Sequence, residues 1–189
     1  MVMPRTRPLP GEWTVAEWRE LPADSNRYEV IDGVLYVTPA PRALHQEAVR
    51  QLVIVLSRYV AEVAVGHAML SPAEIAFMPE LVVQPDVFVA PRIAGRRPRE
   101  WQEIRRLLLA VEVLSPSTAS RDRTIKRRLY QQHADEYWIV DLDARLIERW
   151  RPEDARPEVL DASLEWRPAG ADAPLMLDVR AFFREVWDE

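Results

Sequence analysis

Residues 107–114 read LLLAVEVL, a run in which every side chain except that of Glu112 is apolar. A strand with one face in water alternates apolar and polar residues, whereas a strand that is apolar throughout is typically covered on both faces. The run is far too short to cross a membrane. It therefore predicts a central strand in a sheet that has packing layers on both sides.

The elements predicted around this strand form a mixed α/β fold. Three strands, at 68–77, 81–89 and 107–114, follow one another with no long helix between them, which excludes a doubly wound parallel sheet. The remaining predicted elements are a capped helix from Thr14 to Leu21, a hairpin at 28–38 turning at Asp32-Gly33, helices at 43–64 (stopping at Gly66), 121–133 and 179–187, and strands at 136–140, 146–150, 159–164 and 175–179.

A chain of 189 residues fits one domain. We expect a disordered, proline-rich lead at 1–12, followed by a single domain at 13–189. Its core is expected at about 28–150, followed by a C-terminal extension of strands and a helix.

The composition limits the compartment and the kinds of site. No cysteine is present, which excludes disulfides and thiolate metal sites. The first residues lack the apolar core of a signal peptide, and no apolar run is long enough to span a membrane. We therefore expect a soluble, cytoplasmic protein.

The net charge of −5 does not by itself indicate a nucleic-acid-binding protein, but the charges are unevenly distributed. From residue 135 onward the chain has 15 acidic and 7 basic side chains, whereas the segment 93–134 is rich in arginine. A basic zone on an acidic protein can follow a phosphate backbone. The arginines predicted to bind nucleic acid are Arg96, Arg97, Arg99, Arg105, Arg106, Arg121 and Arg123. The alternative is that they form solvated faces of helices and loops.

Lys126 is the only lysine among 25 basic residues, and the other 24 are arginines. Arginine is always charged, whereas lysine is a compact point charge whose pKa responds to burial. Because all 24 remaining basic positions carry arginine, the lysine at position 126 suggests that an amine is required there.

Asp86 and Glu112 are single carboxylates within apolar segments, in VVQPDVFVA and LLLAVEVL. A buried carboxylate must be paired, bind a metal or lie at the mouth of a sheet. Two neighbouring strands can bring both acids together, and with the backbone carbonyl of Val113 and water they suit Mg²⁺. Such a cation assists phosphodiester hydrolysis, with Lys126 orienting water or neutralising phosphate. The alternatives are that Asp86 caps a turn and that Glu112 forms a structural ion pair.

Several motifs resemble those of a known family. They are YEVIDGVL (28–35), a histidine opening the long helix (His45), QPDVFV (84–89), VEVLSPST (111–118), the Asp122, Lys126, Tyr130 helix and EYWIVD (136–141). The chain resembles the PD-(D/E)XK nuclease superfamily and, more narrowly, the Uma-two family of candidate endonucleases. The resemblance implies a restriction-endonuclease-like core, Mg²⁺ or Mn²⁺ held by Asp86 and Glu112, and hydrolysis of phosphodiester bonds.

The chain departs from the superfamily pattern at one position. The superfamily's lysine usually lies two residues after the strand acid, and here that residue is Leu114. Lys126 would have to reach the site from the following helix. Asp122, Lys126 and Tyr130 lie at four-residue steps on one helical face, so Asp122 or Tyr130 could tune the lysine. The alternative is that they pair with nearby arginines.

Glu29 and His45 are additional candidates for the site. Glu29 could complete the outer shell of the metal, or it could be a solvated strand residue. His45 could contact phosphate, accept a proton or cap the helix. The other two histidines are expected to be structural. Three aromatic residues are expected in the core, namely Tyr137, Trp138 and Trp150.

Two functional hypotheses follow. The first is a metal-dependent endonuclease that acts on nucleic acid, with DNA as the expected substrate and a homodimer as the expected assembly. The second is a catalytically inactive nuclease-fold protein that binds nucleic acid or a protein partner. The carboxylate pair with its lone lysine favours the first, and Leu114 and the negative net charge favour the second.

Overall fold

The structure is a computed structural model and describes residues 8–189. Its helices are α1 (Val15–Arg19), α2 (Ala43–Val63), α3 (Ala119–Arg121), α4 (Arg127–His133) and α5 (Val179–Trp187), with a 3₁₀ turn at Trp101–Glu103 and a π-helical segment at Asp122–Lys126. Its strands are β1 (Arg27–Ile31), β2 (Val34–Thr38), β3 (Gly66–Leu70), β4 (Ile75–Met78), β5 (Leu81–Val83), β6 (Val87–Pro91), β7 (Leu109–Val113), β8 (Tyr137–Asp141), β9 (Leu146–Trp150), β10 (Glu158–Leu160), β11 (Ser163–Trp166) and β12 (Leu175–Asp178).

A six-stranded mixed sheet, in the order β10-β9-β8-β7-β6-β3, forms the centre of the fold. β7 runs parallel to β8 and antiparallel to β6, and all five of its residues are buried. Val111 and Val113 pack in one core cluster with residues of α2 and α5. Ala110 packs on the opposite side with residues of α4 and β1. The predicted central strand, covered on both faces, and the mixed α/β class are therefore confirmed.

A second sheet of four strands, in the order β2-β1-β5-β4, contains the predicted hairpin. Its turn residues Asp32 and Gly33 both have positive φ, as a tight hairpin turn requires. The predicted disordered lead lies partly outside the described residues. In the part that is described, the amides of Gly11 and Trp13 donate to the carbonyl of Gly33 at 2.8 and 3.0 Å, so the backbone there is held against the hairpin.

α2 is the longest helix, and it buries one face through residues at helical spacing. It ends before Ala64, which has a φ of 56°, and not at Gly66 as predicted. Gly66 instead lies in β3, where a side-chain carbon would stand 2.5 Å from the carbonyl oxygen of Ala90. Glycine is needed at this position because two backbones approach closely.

Three predicted strands are each divided in the structure. The segment 81–89 separates at Gln84-Pro85-Asp86 into β5, in the four-stranded sheet, and β6, in the six-stranded sheet. Proline cannot donate to a ladder, which explains the break. Likewise 68–77 divides into β3 and β4, and 159–164 divides into β10 and β11. As a consequence, Asp86 lies at the junction of two sheets.

The predicted helix at 121–133 begins at Ala119 and is interrupted by the π-helical segment. The predicted aromatic residues Tyr137, Trp138 and Trp150 lie in the core, as expected. Among residues 8–189, no helix is both long and apolar enough to cross a membrane.

Candidate active site

Asp86 and Glu112 come together because of the register between β6 and β7. Val87 lies opposite Val111 in this antiparallel pair, so one further step places Asp86 opposite Glu112. Both acids are on the sheet face that carries Phe88. Their exposed fractions are only 4% and 1%. The strand pairing thus creates a pair of buried carboxylates at one end of the central sheet.

The Asp86 carboxylate is held by three groups. Its Oδ2 accepts a hydrogen bond from the Val113 amide at 2.8 Å and lies 3.1 Å from Nε2 of His45 in α2. Its Oδ1 accepts a hydrogen bond from Nη1 of Arg27. Burial alone would raise the pKa of Asp86, but the His45 hydrogen bond and the charge of Arg27 hold that pKa below its ordinary value. Asp86 is therefore ionised at neutral pH.

Glu112 is in a different electrostatic environment. Its Oε1 accepts hydrogen bonds from Nζ of Lys126 at 2.7 Å and from the Tyr130 hydroxyl at 3.1 Å. Its Oε2 lies 3.9 Å from Nη2 of Arg27. Burial, opposed by Lys126 but assisted by the Asp86 charge, raises the pKa of Glu112 to about 8. The two acids thus favour opposite protonation states at neutral pH.

Lys126 is fully buried, and its ammonium group is surrounded by acids. Nζ lies 2.7 Å from Glu112, 2.8 Å from Glu29 and 3.9 Å from Asp122. Burial lowers the pKa of Lys126, but these carboxylates outweigh it and the net shift is upward. The amine therefore stays charged. The lysine reaches Glu112 from the helix, as predicted. Its ammonium group contacts buried carboxylates and does not line the cavity.

Glu29 and Asp122 complete the buried network. The backbone amide of Gln84 donates to Oε1 of Glu29 at 2.9 Å, and Arg121 lies 3.6 Å from its Oε2. Burial would raise the pKa of Glu29, but Lys126 reverses the shift and lowers it. Burial raises the pKa of Asp122. Glu29 is fully buried, so the alternative that it is a solvated strand residue is wrong.

Arg27 is the site residue that was not predicted from the sequence. Its guanidinium contacts Asp86 through Nη1 and approaches Glu112 through Nη2. A signal was available, because strand alternation places Arg27 on the same face of β1 as Glu29 and Ile31. The reach from β1 across to β6 and β7 depends on how the two sheets meet, which the alternation does not indicate.

An open cavity of about 780 Å³ borders the carboxylate pair. The predicted site residues that line it are Asp86, His45 and Arg123, together with Arg27. Glu112 and Lys126 do not line it and are buried beside it. The cavity is also lined by the first residues of α2, by the loop at 114–119 and by 141–143. Its volume falls in the range of about 300–1,000 Å³ that is typical of ligand sites.

Most of the arginines predicted to bind nucleic acid lie away from this cavity. The segment 92–106 joins the end of β6 that is remote from Asp86 to the start of β7, so it lies at the opposite end of these strands. Arg96 and Arg106 also form ion pairs, each of 2.6 Å, with Glu103 and Asp135. The arginines of this segment therefore do not line the cavity beside the acids, and the sequence-based prediction that they bind nucleic acid competes with binding at that cavity.

The other two predicted arginines, Arg121 and Arg123, lie closer to the site, but their guanidinium groups already contact other side chains of the protein. Arg121 donates to the Thr38 hydroxyl at 2.9 Å, and its guanidinium lies over the ring of Tyr36. Arg123 lies 2.7 Å from both Asp141 and Glu148.

The donor set of the site is consistent with a hard divalent cation. Within residues 8–189, no group of three or more His, Asp or Glu side chains has the arrangement of a metal site. Asp86 and Glu112 nevertheless form an opposed pair in which one oxygen of each faces Arg27. Two carboxylate oxygens, completed by a backbone carbonyl and water, are ligands that Mg²⁺ accepts. The carbonyl of Val113 as a ligand stays a prediction.

Comparison with known proteins identifies the family. A crystal structure of "a putative nuclease belonging to DUF820" from Anabaena variabilis ATCC 29413 superposes with a TM-score of 0.75 at 22% identity, covering 92% of this chain and 99% of that one. This likeness establishes the restriction-endonuclease-like fold expected from the sequence. A search of curated proteins gives no match. The model of the Uma2 family, described as "Putative restriction endonuclease", matches residues 15–179, and the chain therefore belongs to the Uma2 family.

Proposed function

We propose that this protein is a divalent-cation-dependent nuclease that hydrolyses phosphodiester bonds in nucleic acid, with DNA as the expected substrate. The observation that carries the proposal is the opposed pair of Asp86 and Glu112, with Lys126 bound to Glu112 and a cavity beside them. The family description and the similar crystal structure, which is that of a candidate nuclease, support the same reaction class.

Asp86 and Glu112 would hold Mg²⁺ or Mn²⁺, with the Val113 carbonyl as a further ligand. When bound, the cation would polarise the phosphoryl oxygen and lower the pKa of an attacking water. The protein's own contribution is to fix the ligands. His45 and the Val113 amide hold one oxygen of Asp86, and such outer contacts set the orientation of a ligand.

Lys126 is proposed as a positioning residue. Its ammonium group and the hydroxyl of Tyr130 hold Oε1 of Glu112, which leaves Oε2 directed toward Arg27. Glu29 and Asp122 in turn surround the ammonium group. The lysine is thus proposed to act through Glu112, because its amine does not line the cavity.

The cavity has features that suit a phosphate group. α2 begins at its edge, and no side chain caps the first turn of this helix. Free amides and the positive end of the helix dipole favour anions at such a terminus. Arg42 and Arg27 add positive charge to the cavity wall. A nucleic-acid backbone crossing here would bring a phosphate to the carboxylate pair.

The proposal is tested by a nuclease assay with Mg²⁺ or Mn²⁺ on single-stranded, duplex and branched DNA and on RNA, with EDTA as the blank. We expect Asp86→Asn and Glu112→Gln to lower the cleavage rate by more than about 100-fold, since even outer-shell changes cost about 10–100-fold. Asp143→Asn removes an exposed carboxylate of the same cavity and should leave cleavage unchanged. Cleavage that persists in both site variants would show that the site is wrongly assigned, and no cleavage of any substrate would refute the nuclease.

A binding module without catalysis is the second candidate. It is favoured by Leu114 at the usual lysine position and by the Arg27 guanidinium, which contacts Asp86 and lies 3.9 Å from Glu112. This candidate predicts oligonucleotide binding that is unchanged by Glu112→Gln, with no cleavage under any metal condition.

We also propose that the protein acts as a homodimer, because cutting both strands of a duplex favours two sites related by symmetry. Light scattering after size-exclusion chromatography should then give about twice the chain mass of 21.9 kDa. A mass equal to one chain at micromolar concentration would refute the dimer.

A further inference from the structure

In each of the two acids, Asp86 and Glu112, one carboxylate oxygen is held by the surrounding protein and the other faces Arg27. One oxygen of Asp86 is held by His45 and a backbone amide, and one oxygen of Glu112 is held by Lys126 and Tyr130. The two oxygens left over, Oδ1 of Asp86 and Oε2 of Glu112, both face the guanidinium of Arg27. These are also the two oxygens that remain for a divalent cation, so Arg27 lies where the cation would bind.

Arg27 is well placed to leave this position. It is the first residue of β1, its side chain is 19% exposed, and it lines the cavity. Within residues 8–189, its guanidinium pairs with the two acids, and its buried Nε has no hydrogen-bond partner. The guanidinium is therefore held by the carboxylates, and a stronger ligand for them would release it toward the cavity.

The charges make the two occupants mutually exclusive. A guanidinium satisfies two carboxylate oxygens at once, as a divalent cation does. A monovalent and a divalent cation a few ångströms apart repel strongly in a buried site. Once outside the pair, a guanidinium is the side chain best suited to bind a phosphate through two parallel hydrogen bonds.

We propose that Arg27 is a built-in competitor of the metal: in the metal-free protein its guanidinium occupies the cation position, and when the cation binds, it moves into the cavity and binds a phosphate of the nucleic acid. This inference rests on the proposed function, because it deepens the roles of Asp86 and Glu112. It adds a phosphodiester-binding residue that becomes available only in the metal-bound protein.

The first test is calorimetric titration of the full-length protein with Mn²⁺ alone. Arg27→Gln should bind Mn²⁺ at least tenfold more tightly than the wild type. Arg121→Gln is the matched control, since it removes a partly buried guanidinium near Glu29 that does not contact the pair, and its affinity should change less than twofold. Equal affinities of wild type and Arg27→Gln would overturn the inference and leave the proposed function intact. Absence of Mn²⁺ binding by every variant would overturn both.

The second test measures binding of a single-stranded DNA oligonucleotide by fluorescence anisotropy, with Ca²⁺ or with EDTA. Arg27→Gln should weaken binding by about tenfold in Ca²⁺ and by less than twofold in EDTA, because the guanidinium is free only when the cation is bound. Arg27→Lys keeps the positive charge but cannot contact both carboxylates at once, so its Mn²⁺ affinity should lie between those of the wild type and Arg27→Gln. This conservative variant also serves as the control for folding. An equal loss of oligonucleotide affinity in both conditions would overturn the inference.

Discussion

The protonation of Glu112 couples the stability of the metal-free protein to pH. Burial raises its folded-state pKa from the ordinary 4.5 to about 8, so the folded protein keeps a proton that the unfolded chain releases. The resulting stabilisation is complete below the unfolded pKa and is lost as pH rises toward 8. Between pH 5 and 8 in EDTA, we expect the free energy of unfolding to fall by on the order of 3–4 kcal/mol.

Glu112→Gln replaces the titratable group with a neutral side chain of the same shape, so its free energy of unfolding should not fall in this way between pH 5 and 8. Urea unfolding of both proteins at intervals of one pH unit, with EDTA present, makes the comparison. Asp86 and Glu29 have lowered pKa values, so their contributions are present above about pH 4 and are lost only in acid. Parallel pH profiles for wild type and Glu112→Gln would show that another group titrates.

Lys126 balances the negative charge of Glu29 and is hydrogen-bonded to Glu112 in a fully buried position. Removing one partner of a buried ionic network leaves charge without compensation and costs about 3–5 kcal/mol. We therefore expect Lys126→Ala to lower the free energy of unfolding by this amount. Adding Glu29→Gln should recover part of the loss, because one unpaired carboxylate disappears.

Arg128→Ala serves as the control for the lysine, since Arg128 is an exposed residue of the same helix. Its effect should stay within about 0.5 kcal/mol, as for ordinary surface changes. Denaturant unfolding followed by tryptophan fluorescence measures all of these variants. A Lys126→Ala protein as stable as Arg128→Ala would contradict a network held together by the ammonium group.

Elements with strong local signals were predicted closely from the sequence. β9 and α5 have the predicted bounds, and α5 begins at a side-chain cap, where Asp178 accepts from the Ala181 amide at 2.8 Å. Alternation and capping depend on nearby residues, so they can be recognised without the fold. Pro85 was a local signal for a break within 81–89, but the division of this segment between two sheets depends on distant residues and was not predicted.

The candidate site shows the same limit. Asp86, Glu112 and Lys126 stood out as rare polar residues in apolar or arginine-rich surroundings, and the structure brings all three together. Arg27 did not stand out, because it is one of 24 arginines. Its contact with Asp86 crosses from one sheet to the other, so only the packing of the two sheets reveals it.

The π-helical segment Asp122–Lys126 is the element that directs the buried polar residues inward. It widens one turn by a residue, and such insertions occur frequently at functional sites. Deleting Thr124, an exposed residue of this turn, should restore an α-helical turn and rotate Asp122 away from Lys126. We expect unchanged helix content by circular dichroism but a lower melting temperature.

Thr124→Ala is the appropriate control for this deletion. It removes the hydroxyl that donates to the Ser120 carbonyl at 2.6 Å, together with the γ-methyl group, and keeps the chain length. The deletion should lower the melting temperature by several degrees more than this substitution, about the effect of losing 1–2 kcal/mol in a chain of this size. Equal melting temperatures would show that the helix tolerates either register.

On the scale of the whole molecule, the positive charge that matters for binding is expected at the cavity and not in the arginine-rich segment. The segment 92–106 is separated from Asp86 by the length of β6, about 16 Å for five residues at about 3.3 Å each. Arg42, by contrast, is exposed on the cavity wall at the start of α2. Because the chain as a whole has a net charge of −5, the surface that binds nucleic acid is set by where arginines concentrate positive charge.

The salt dependence of oligonucleotide binding separates these two surfaces. Each phosphate contact adds roughly one unit to the slope of log K against log salt concentration, somewhat less for single strands. Arg42→Gln should therefore reduce the slope by about one and weaken binding to every sequence alike. Arg99→Gln, an exposed arginine of the segment 92–106, should leave the slope unchanged. If instead the slope falls for Arg99→Gln and not for Arg42→Gln, the nucleic acid follows the arginine-rich end of the sheet, and the cavity beside Asp86 cannot be where its backbone is bound.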